Sequence, residues 1–395
     1  MPRPSEATRV VLCLFSVLFL GVADSQMVSP LLPAIRGVFA RSSYEAGFLF
    51  TGYSAAAGLS VLVWGPISDS IGPRRALLGG LAGFAAGSLL SLSAWSFAAL
   101  LAGRALTGMG ASLLSLNVIT YAGDYFPYAR RGWAMGSIFS SYFAALILGV
   151  PLAWVAAGRL GWRSAFGAAC ALALVLLPLA RRMLPAPATS GRAPHAGPGM
   201  SGHVRNYLQF VSRRSTLGAL LGSLAASAGM MGFLAFVGVW LHDDFAASTE
   251  QVALVFLASG ATALVASPMA GALSDRVGKR AQFMVSNLAL ALLLVALPRA
   301  GWGPRLFATF CLISVASAFR QGPMEALITE VVAAGRRGSF VALRNSFSQL
   351  GIGLAALGSG HLFERSGYAA VCFLCAALNI LAAGSVLVLV RDKHL

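Results

Sequence analysis

The sequence is poor in charge. Only 11% of its 395 residues are Asp, Glu, Lys or Arg, whereas 57% are hydrophobic. Soluble domains carry about 25% charged residues, so this composition excludes a water-soluble globular protein and predicts a membrane protein. Acidic residues are the scarcer charge: 13 Asp and Glu stand against 29 Lys and Arg. The basic residues lie at the ends of apolar runs, which indicates a lipid bilayer surface, and not nucleic acid, as their partner.

Cysteine pairs and catalytic motifs are also missing. The five cysteines all fall inside apolar runs, and we interpret Cys372 and Cys375 as helix packing, not as a metal or redox pair. The chain contains no nucleotide-binding loop, no H-E-x-x-H and no G-x-S-x-G. We therefore expect neither enzymatic activity nor a metal or cofactor.

Long apolar runs dominate the chain. A membrane-spanning helix needs about 20 mostly apolar residues, and six such segments lie on each side of a Pro- and Gly-rich stretch. We predict an N-terminal six-helix bundle over residues 1–181, a cytoplasmic linker over 182–212 with a short interfacial helix at Val204–Val211, and a C-terminal six-helix bundle over 213–395. The predicted spans are 10–33, 46–67, 76–95, 98–121, 133–157, 164–181, 215–241, 250–273, 281–298, 306–330, 339–362 and 368–390.

The two halves carry the same landmarks at one offset. Asp69 and Asp275 are 206 residues apart, and so are Arg130 and Arg336, and Gly161 and Gly367. Repetition at a fixed period is the signature of a duplicated architecture. In the repeated loop we expect a glycine that permits close helix packing, an Asp that faces the start of the next helix, a turn glycine and basic residues at the membrane face. The loop residues are Gly65, Asp69, Gly72, Arg74 and Arg75, and in the second copy Asp275, Gly278 and Arg280.

This loop resembles the one between the second and third helices of the major facilitator superfamily, which has a weaker copy between the eighth and ninth helices. Ser70 and Pro73 depart from the family pattern, which often has a basic residue at those places. The resemblance implies an all-α membrane protein with twelve transmembrane helices in two pseudo-symmetric bundles. It also implies a substrate cavity between the bundles, a gating role for the repeated loop, and transport by alternating access.

Ionisable residues within spans are costly and are functional candidates. Asp24 lies near the middle of span one and can exchange a proton, although a structural ion pair would explain it as well. Arg104 and Gly108 match an Arg-x-x-x-Gly pattern that the resemblance links to proton transfer, although backbone carbonyls alone could satisfy the arginine. Glu325 is a third candidate for proton coupling.

Other polar residues are candidates for substrate binding. Gly322-Pro323 interrupts span ten beside Arg320, which is typical of a discontinuous helix that lines a cavity. Each uncharged candidate could equally bond a neighbouring helix. The expected substrate-binding residues are Asp24, Tyr53, Asn117, Tyr142, Arg320, Gln321, Asn345 and Gln349.

Span five contains Gly149 and Pro151, which partly resemble the Gly-Pro signature of proton-coupled drug and metabolite exporters. We expect close packing and a bend there. The pattern favours a monomeric proton-coupled antiporter that exports a small molecule across a bacterial cytoplasmic (inner) membrane. An organic-anion uniporter or exchanger, a proton symporter for uptake, and a transport-dead sensor or scaffold are the alternatives.

The predicted orientation is testable. Nineteen Lys and Arg lie in segments that would be cytoplasmic if the N-terminus is inside, against seven on the other side. The positive-inside rule then places both termini and residues 182–212 in the cytoplasm. A cysteine introduced at Ser201 is expected to resist an impermeant thiol reagent added to intact cells and to react after permeabilisation. Labelling of intact cells would reverse the orientation, and the unsubstituted protein supplies the background of the native thiols.

Overall fold

The structure, a computed structural model, describes residues 4–185, 200–332 and 337–390. Within these ranges the chain folds into helices joined by short turns, and ten helical runs are long and apolar enough to cross a membrane. The run Gly338–Leu389 is 52 residues long, which is enough for two crossings of about 20 residues each. The all-helical membrane architecture expected from the hydrophobic runs is confirmed.

The helices of the first half match the predicted spans one to six, with α5, α6, the π-helical segment and α7 together forming the fifth. They are α1 Pro4–Phe39, α2 Ser43–Ile71, α3 Pro73–Leu92, α4 Phe97–Tyr125, α5 Tyr128–Phe139, α6 Ser141–Ala144, the π-helical segment Ala145–Gly149, α7 Val150–Leu160 and α8 Arg163–Met183.

A short helix in the predicted linker contains the segment expected at Val204–Val211, and the helices of the second half follow it. The last helix is one continuous run except at Gly367, whose φ of 73° separates the eleventh span from the twelfth. The helices are α9 Met200–Ser212, α10 Arg214–Phe245, α11 Thr249–Val277, α12 Lys279–Ala296 followed by a 3-10 turn at Leu297–Arg299, α13 Pro304–Val331 and α14 Arg337–Leu389.

The repeat recurs in the contacts as well as in the helix ends. Arg74 donates from Nη2 to the carbonyl of Arg181 at 2.6 Å, and Arg280 donates to the carbonyl of Leu387 at the same distance. In each pair the two residues are 107 positions apart. A basic side chain from the third or ninth span thus satisfies a carbonyl near the end of the sixth or twelfth, where backbone oxygens lack helical partners.

The structure corrects part of the expectation for the repeated loop. Helix α2 continues through Gly65 to Ile71, so Asp69 lies in its last turns and not beyond the helix. Among the described residues, nothing lies within 4 Å of a Cβ placed at Gly65, so the structure shows no close packing at that glycine. Gly72 is a turn residue, as expected: its φ of 86° is the left-handed conformation that glycine tolerates. The side chains of Asp69 and Asp275 lie outside the described part of the structure.

We call the side where α1 begins the terminal face and the side where it ends the opposite face. Polar contacts between described residues join the halves at the opposite face. Arg36 Nη2 lies 3.1 Å from Asp243 Oδ2, and Tyr44 donates its backbone N–H to Glu364 Oε1 at 2.7 Å. Thr51 donates to the carbonyl of Gly353 at 2.9 Å about two turns deeper along α2. The two halves are therefore closed against each other on this side.

Close backbone approach makes that closure possible. A Cβ at Gly238 would lie 3.0 Å from the carbonyl oxygen of Ser29, and the Ser29 hydroxyl donates to the carbonyl of Leu234. A Cβ at Gly47 would lie 3.2 Å from the carbonyl oxygen of Ala356. Real Cβ atoms rarely come this close to a backbone atom. Glycine at these two positions therefore lets α1 pack on α10 and α2 pack on α14.

A bulky residue at Gly238 is expected to prevent this closure. In Gly238→Leu the side chain would push α10 away from α1. A bifunctional thiol reagent should then cross-link cysteines introduced at Arg36 and Asp243 several-fold less than in the parent protein. Gly79→Leu is the matched control, because a Cβ there meets nothing within 4 Å. Unchanged cross-linking in Gly238→Leu would contradict the packing argument.

Candidate functional site

Two described openings lie between the two halves. Two adjoining pockets of about 170 and about 210 Å³ share the lining residues Gln26, Met230, Leu234, Arg320 and Gln321. The first is bounded mainly by α1, α6, the π-helical segment, α10, α11 and α13. The second is bounded by α1, α10, α13 and α14, with Phe283 of α12. Together they form what we call the central cavity.

The central cavity extends toward the terminal face. The first pocket meets α10 between Met230 and Leu234, and the second reaches back along α10 to Ser223. Because α10 begins at the terminal face with Arg214, the second pocket is the nearer of the two to that face. Closure at the opposite face and a cavity that runs toward the terminal face describe one of the two arrangements that alternating access requires.

The wall of the first pocket is mostly apolar. Phe233, Phe256 and Phe310 contribute rings, and Met230 contributes a flexible thioether. A few hydroxyl groups, including those of Ser259 and Ser317, also face it. Such a surface suits the apolar body of a small molecule, with few groups to fix its orientation.

The charged groups of the cavity wall have one sign. Arg320 lines both pockets, Arg344 lines the second, and no acidic residue occurs among the lining residues that the structure describes. Arg320 Nη1 donates to the carbonyl of Ala226 at 2.7 Å and to Asn379 Oδ1 at 3.4 Å. Arg320 thus lies at the cavity wall, and its described partners are neutral. The predicted break in the helix beside it is wrong: α13 continues from Pro304 to Val331 with Pro323 inside it.

Asp24 and Arg104 form a buried ion pair inside the first half. Arg104 Nη1 donates to Asp24 Oδ2 at 2.7 Å, and both residues are 1% exposed. Among the described residues, Asp24 Oδ1 and Arg104 Nε have no hydrogen-bond partner. Neither residue lines the central cavity. The structure thus joins the carboxylate of span one to the arginine of span four and separates both from the cavity wall.

Aromatic rings enclose the arginine of this pair. The guanidinium carbon lies 4.5 Å from the ring centre of Tyr53 and 5.7 Å from that of Phe166. Stacking on ring faces is favourable for a desolvated guanidinium. Gly108 brings α4 against the backbone carbonyl of Tyr53, so the glycine of the Arg-x-x-x-Gly pattern determines how closely α2 and α4 approach. Tyr53 supports Arg104 and does not line the cavity.

The signature of span five is a π-helical turn. Pro151 has no N–H to bond the carbonyl four residues earlier, and the ladder widens over Ala145–Gly149. A Cβ at Gly149 would lie 2.7 Å from the Cβ of Ala23, the neighbour of Asp24. On the other side, the segment packs against Gly260 of α11. The expected close packing and irregularity are present, and they bring the cavity wall next to the ion pair.

The remaining polar candidates divide between the cavity and helix contacts. Tyr142 and Gln321 line the first pocket, as expected. Asn117 is buried away from it, where it accepts a hydrogen bond from Ser68 and donates to the carbonyl of Leu113 at 2.8 Å. Asn345 and Gln349 are half-buried on α14 and do not line either pocket. The side chain of Glu325 lies outside the described part of the structure.

Three residues of the site were not predicted from the sequence. Gln26 lines both pockets and lies two positions after Asp24, so its place near mid-membrane was a usable signal. Arg344 lines the second pocket, and its place inside the predicted eleventh span was a usable signal. Asn379 contacts Arg320 from the twelfth span, 59 residues away, and nothing local in the sequence indicated that contact.

Removing one partner of the buried pair is expected to be costly. Arg104→Gln leaves the Asp24 carboxylate without its cation and should lower the free energy of unfolding by about 3–5 kcal/mol. The double variant Asp24→Asn with Arg104→Gln should recover part of that loss. Arg41→Gln, which breaks an exposed pair with Glu45, is the control and should change little. Chemical unfolding in detergent would measure these effects, and additive losses in the double variant would contradict the pairing.

Comparison with known proteins agrees with this architecture. The family model of the Major Facilitator Superfamily matches residues 14–245 and again residues 219–395. The uncharacterised MFS-type transporter YceJ of Bacillus subtilis is 26% identical over 91% of this chain and 92% of its own length. Two solved structures share the fold. The human organic anion transporter MFSD10 matches at a TM-score of 0.75 and 20% identity, over 97% of this chain and 100% of that one. A D-xylose–proton symporter matches at 0.77 and 17%, over 98% of each chain.

The family match covers most of the chain in two overlapping parts, and both solved structures cover nearly all of it. The duplicated helices, the cavity between the halves and the resemblance of the repeated loop point to the same assignment. This chain belongs to the Major Facilitator Superfamily of membrane transporters.

Proposed function

We propose that this transporter is a proton-coupled antiporter that exports a small molecule. The observation that carries the proposal is the Asp24–Arg104 pair, a titratable group at 1% exposure that the cavity does not reach. The Asp24 carboxylate can accept a proton, and protonation would remove the charge attraction that holds Arg104. The pair therefore supplies a two-state element that a proton can switch.

The π-helical segment supports a link between the proton and the substrate. It contacts Ala23 on the ion-pair side, and its residue Leu146, with Tyr142 just before it, lines the central cavity. Movement of α1 when the pair opens would therefore displace the cavity wall. Binding of substrate against that wall would in turn favour one state of the pair, because coupling between two sites is reciprocal.

The arrangement of the halves supports loading from the terminal face. We place this face in the cytoplasm of a bacterial cell because it carries most of the Lys and Arg residues. In this arrangement substrate enters the central cavity from the cytoplasm. Protonation of Asp24 from the outside, followed by release inside, would drive the reverse movement, and a membrane potential contributes about 2.3 kcal/mol per charge per 100 mV.

We assign the moving bodies to residues 1–181 and 213–395, joined by the linker 182–212, of which residues 186–199 lie outside the described part. The contacts at the opposite face are few and partly exposed, which suits an interface that opens in each cycle. The repeated loops with Gly72 and Gly278 are proposed to gate the terminal face. The solved organic anion transporter and sugar symporter share the fold alone, so neither decides direction or substrate.

Asp24→Asn is expected to abolish accumulation against a gradient, because the variant has no proton to exchange at this site. A panel of labelled acids, amines and sugars would first identify the compound that wild type accumulates best. Accumulation of that compound would then be measured in inverted membrane vesicles with an imposed pH gradient. Downhill exchange of the same compound should persist in Asp24→Asn, and Asp24→Glu should keep part of the coupling.

The matched control is Asp124→Asn, the same change at an exposed position near the end of α4. It should accumulate the compound as wild type does. Full accumulation by Asp24→Asn would overturn the assignment of Asp24 and make Glu325 the next residue to test. Accumulation by wild type without a proton gradient would overturn proton coupling.

A further inference from the structure

The central cavity contains a guanidinium whose counter-charge is not among the residues that the structure describes. We propose that Arg320 is the receptor for a carboxylate on the substrate, and that the transported compound is a small organic anion with an apolar body. This inference names the substrate class of the proposed transport cycle and rests on transport through the same cavity. It assigns Arg320 and Asn379 a common site and separates them from the Asp24–Arg104 pair.

Arg320 is held in place by a built set of contacts. It is 9% exposed, and its Nη1 bonds the carbonyl of Ala226 on α10 and Asn379 on α14. Asn379 is itself oriented, since its Nδ2 donates to the carbonyl of Cys375 at 2.8 Å. A Cβ at Gly229 would lie 2.6 Å from that Nδ2, so glycine leaves the space that Asn379 occupies. These contacts fix one edge of the guanidinium.

The other edge of Arg320 remains available. Both described hydrogen bonds use Nη1, so Nη2 and Nε have no described protein acceptor, and the residue lines both pockets. A carboxylate can accept two parallel hydrogen bonds from such an edge. Burying a charge against neutral acceptors alone is unfavourable, whereas an entering anion would neutralise it. The free edge therefore favours an anionic ligand over a neutral one.

The two arginines of the first and second halves differ in this respect. Arg104 is neutralised by Asp24, and aromatic rings cover it, so it has no need of an external anion. Among the described residues, the acceptors of Arg320 are the carbonyl of Ala226 and the amide oxygen of Asn379. The difference argues against a pair of arginines that clamp one substrate, and for a single receptor in the second half.

The surroundings of Arg320 also indicate an orientation. Beyond it, the first pocket is lined by rings that include Phe256 and Phe310. Toward the terminal face, the second pocket is lined by Arg344. An anion with an apolar body would place its carboxylate at Arg320 and its body against the rings. An inorganic anion would contact Arg320 but would have no apolar body to pack against the rings.

The test compares two ligands of nearly the same shape, one with a carboxylate and the other with a neutral carboxamide. Purified full-length protein in detergent would be titrated with 2-naphthoate and with 2-naphthamide, and binding followed by the shift in unfolding temperature and by tryptophan fluorescence. Wild type is expected to bind the carboxylate at least tenfold more tightly than the amide. Arg320→Gln should remove that preference, and Arg320→Lys should keep part of it, because a lysine retains charge without the planar edge.

Matched controls keep the result interpretable if Arg320→Gln folds poorly. Arg205→Gln makes the same change at an exposed position of α9 and should leave the preference intact. Inorganic phosphate should displace naphthoate only weakly. Displacement at equal concentration would show that the apolar body does not contribute to binding, which would overturn that part of the proposal. Equal binding of naphthoate and naphthamide, or no naphthoate binding by wild type, would overturn the receptor assignment.

Two further variants separate this inference from the proposed function. Asp24→Asn should retain the naphthoate preference even where it loses accumulation, so failure of proton coupling and failure of anion recognition give different results. Glu325→Gln tests the nearest acidic residue along α13. If that variant binds naphthoate tenfold more tightly than wild type, the edge of Arg320 belongs to Glu325, and the proposal is wrong.

Discussion

Burial of charge away from water is the constraint on which the rest of this structure depends. A guanidinium removed from solvent requires acceptors, and a membrane interior supplies none. Arg104 finds a carboxylate and two aromatic rings within the first half. Arg320 finds a carbonyl and an amide at the boundary of the cavity. The first solution is internally complete, and the second leaves a position that a ligand can fill. The proposed roles follow from this difference: the Asp24–Arg104 pair responds to a proton, and Arg320 binds an anion.

The duplicated architecture makes the asymmetry visible. The 206-residue offset relates Asp24 to Met230 and Arg104 to Phe310, and both of the latter line the central cavity. In the reverse direction it relates Arg320 to the buried Leu114. One scaffold therefore carries an ion pair in its first copy and a cavity wall with a cation in its second. Capping serines, turn glycines and terminal arginines are shared, because both copies need the same helix ends.

The fifth span brings these two specialised regions together. Its π-helical turn lies between Ala23 and Gly260, so one irregular segment contacts α1 of the first half and α11 of the second. An interior packed at protein density transmits displacement in preference to absorbing it. A change at the ion pair thus has a short physical route to the cavity wall. The equivalent stretch of the second half lies within the regular helix α14, which places this link in the first copy alone among the described residues.

The sequence by itself determined the membrane environment, the all-helical architecture, the repeat and the presence of costly charges in spans one, four and ten. These properties follow from the lengths of the apolar runs and from the identities of single residues, and both are local features of the sequence. It did not determine that Asp24 pairs with Arg104, that Tyr53 supports the pair, or that Asn379 meets Arg320. Gly65 shows the same limit, since the sequence identifies a glycine but not the open space beside it. Contacts between residues 59 or 80 positions apart depend on how helices are rotated and packed, and only the tertiary structure decides that.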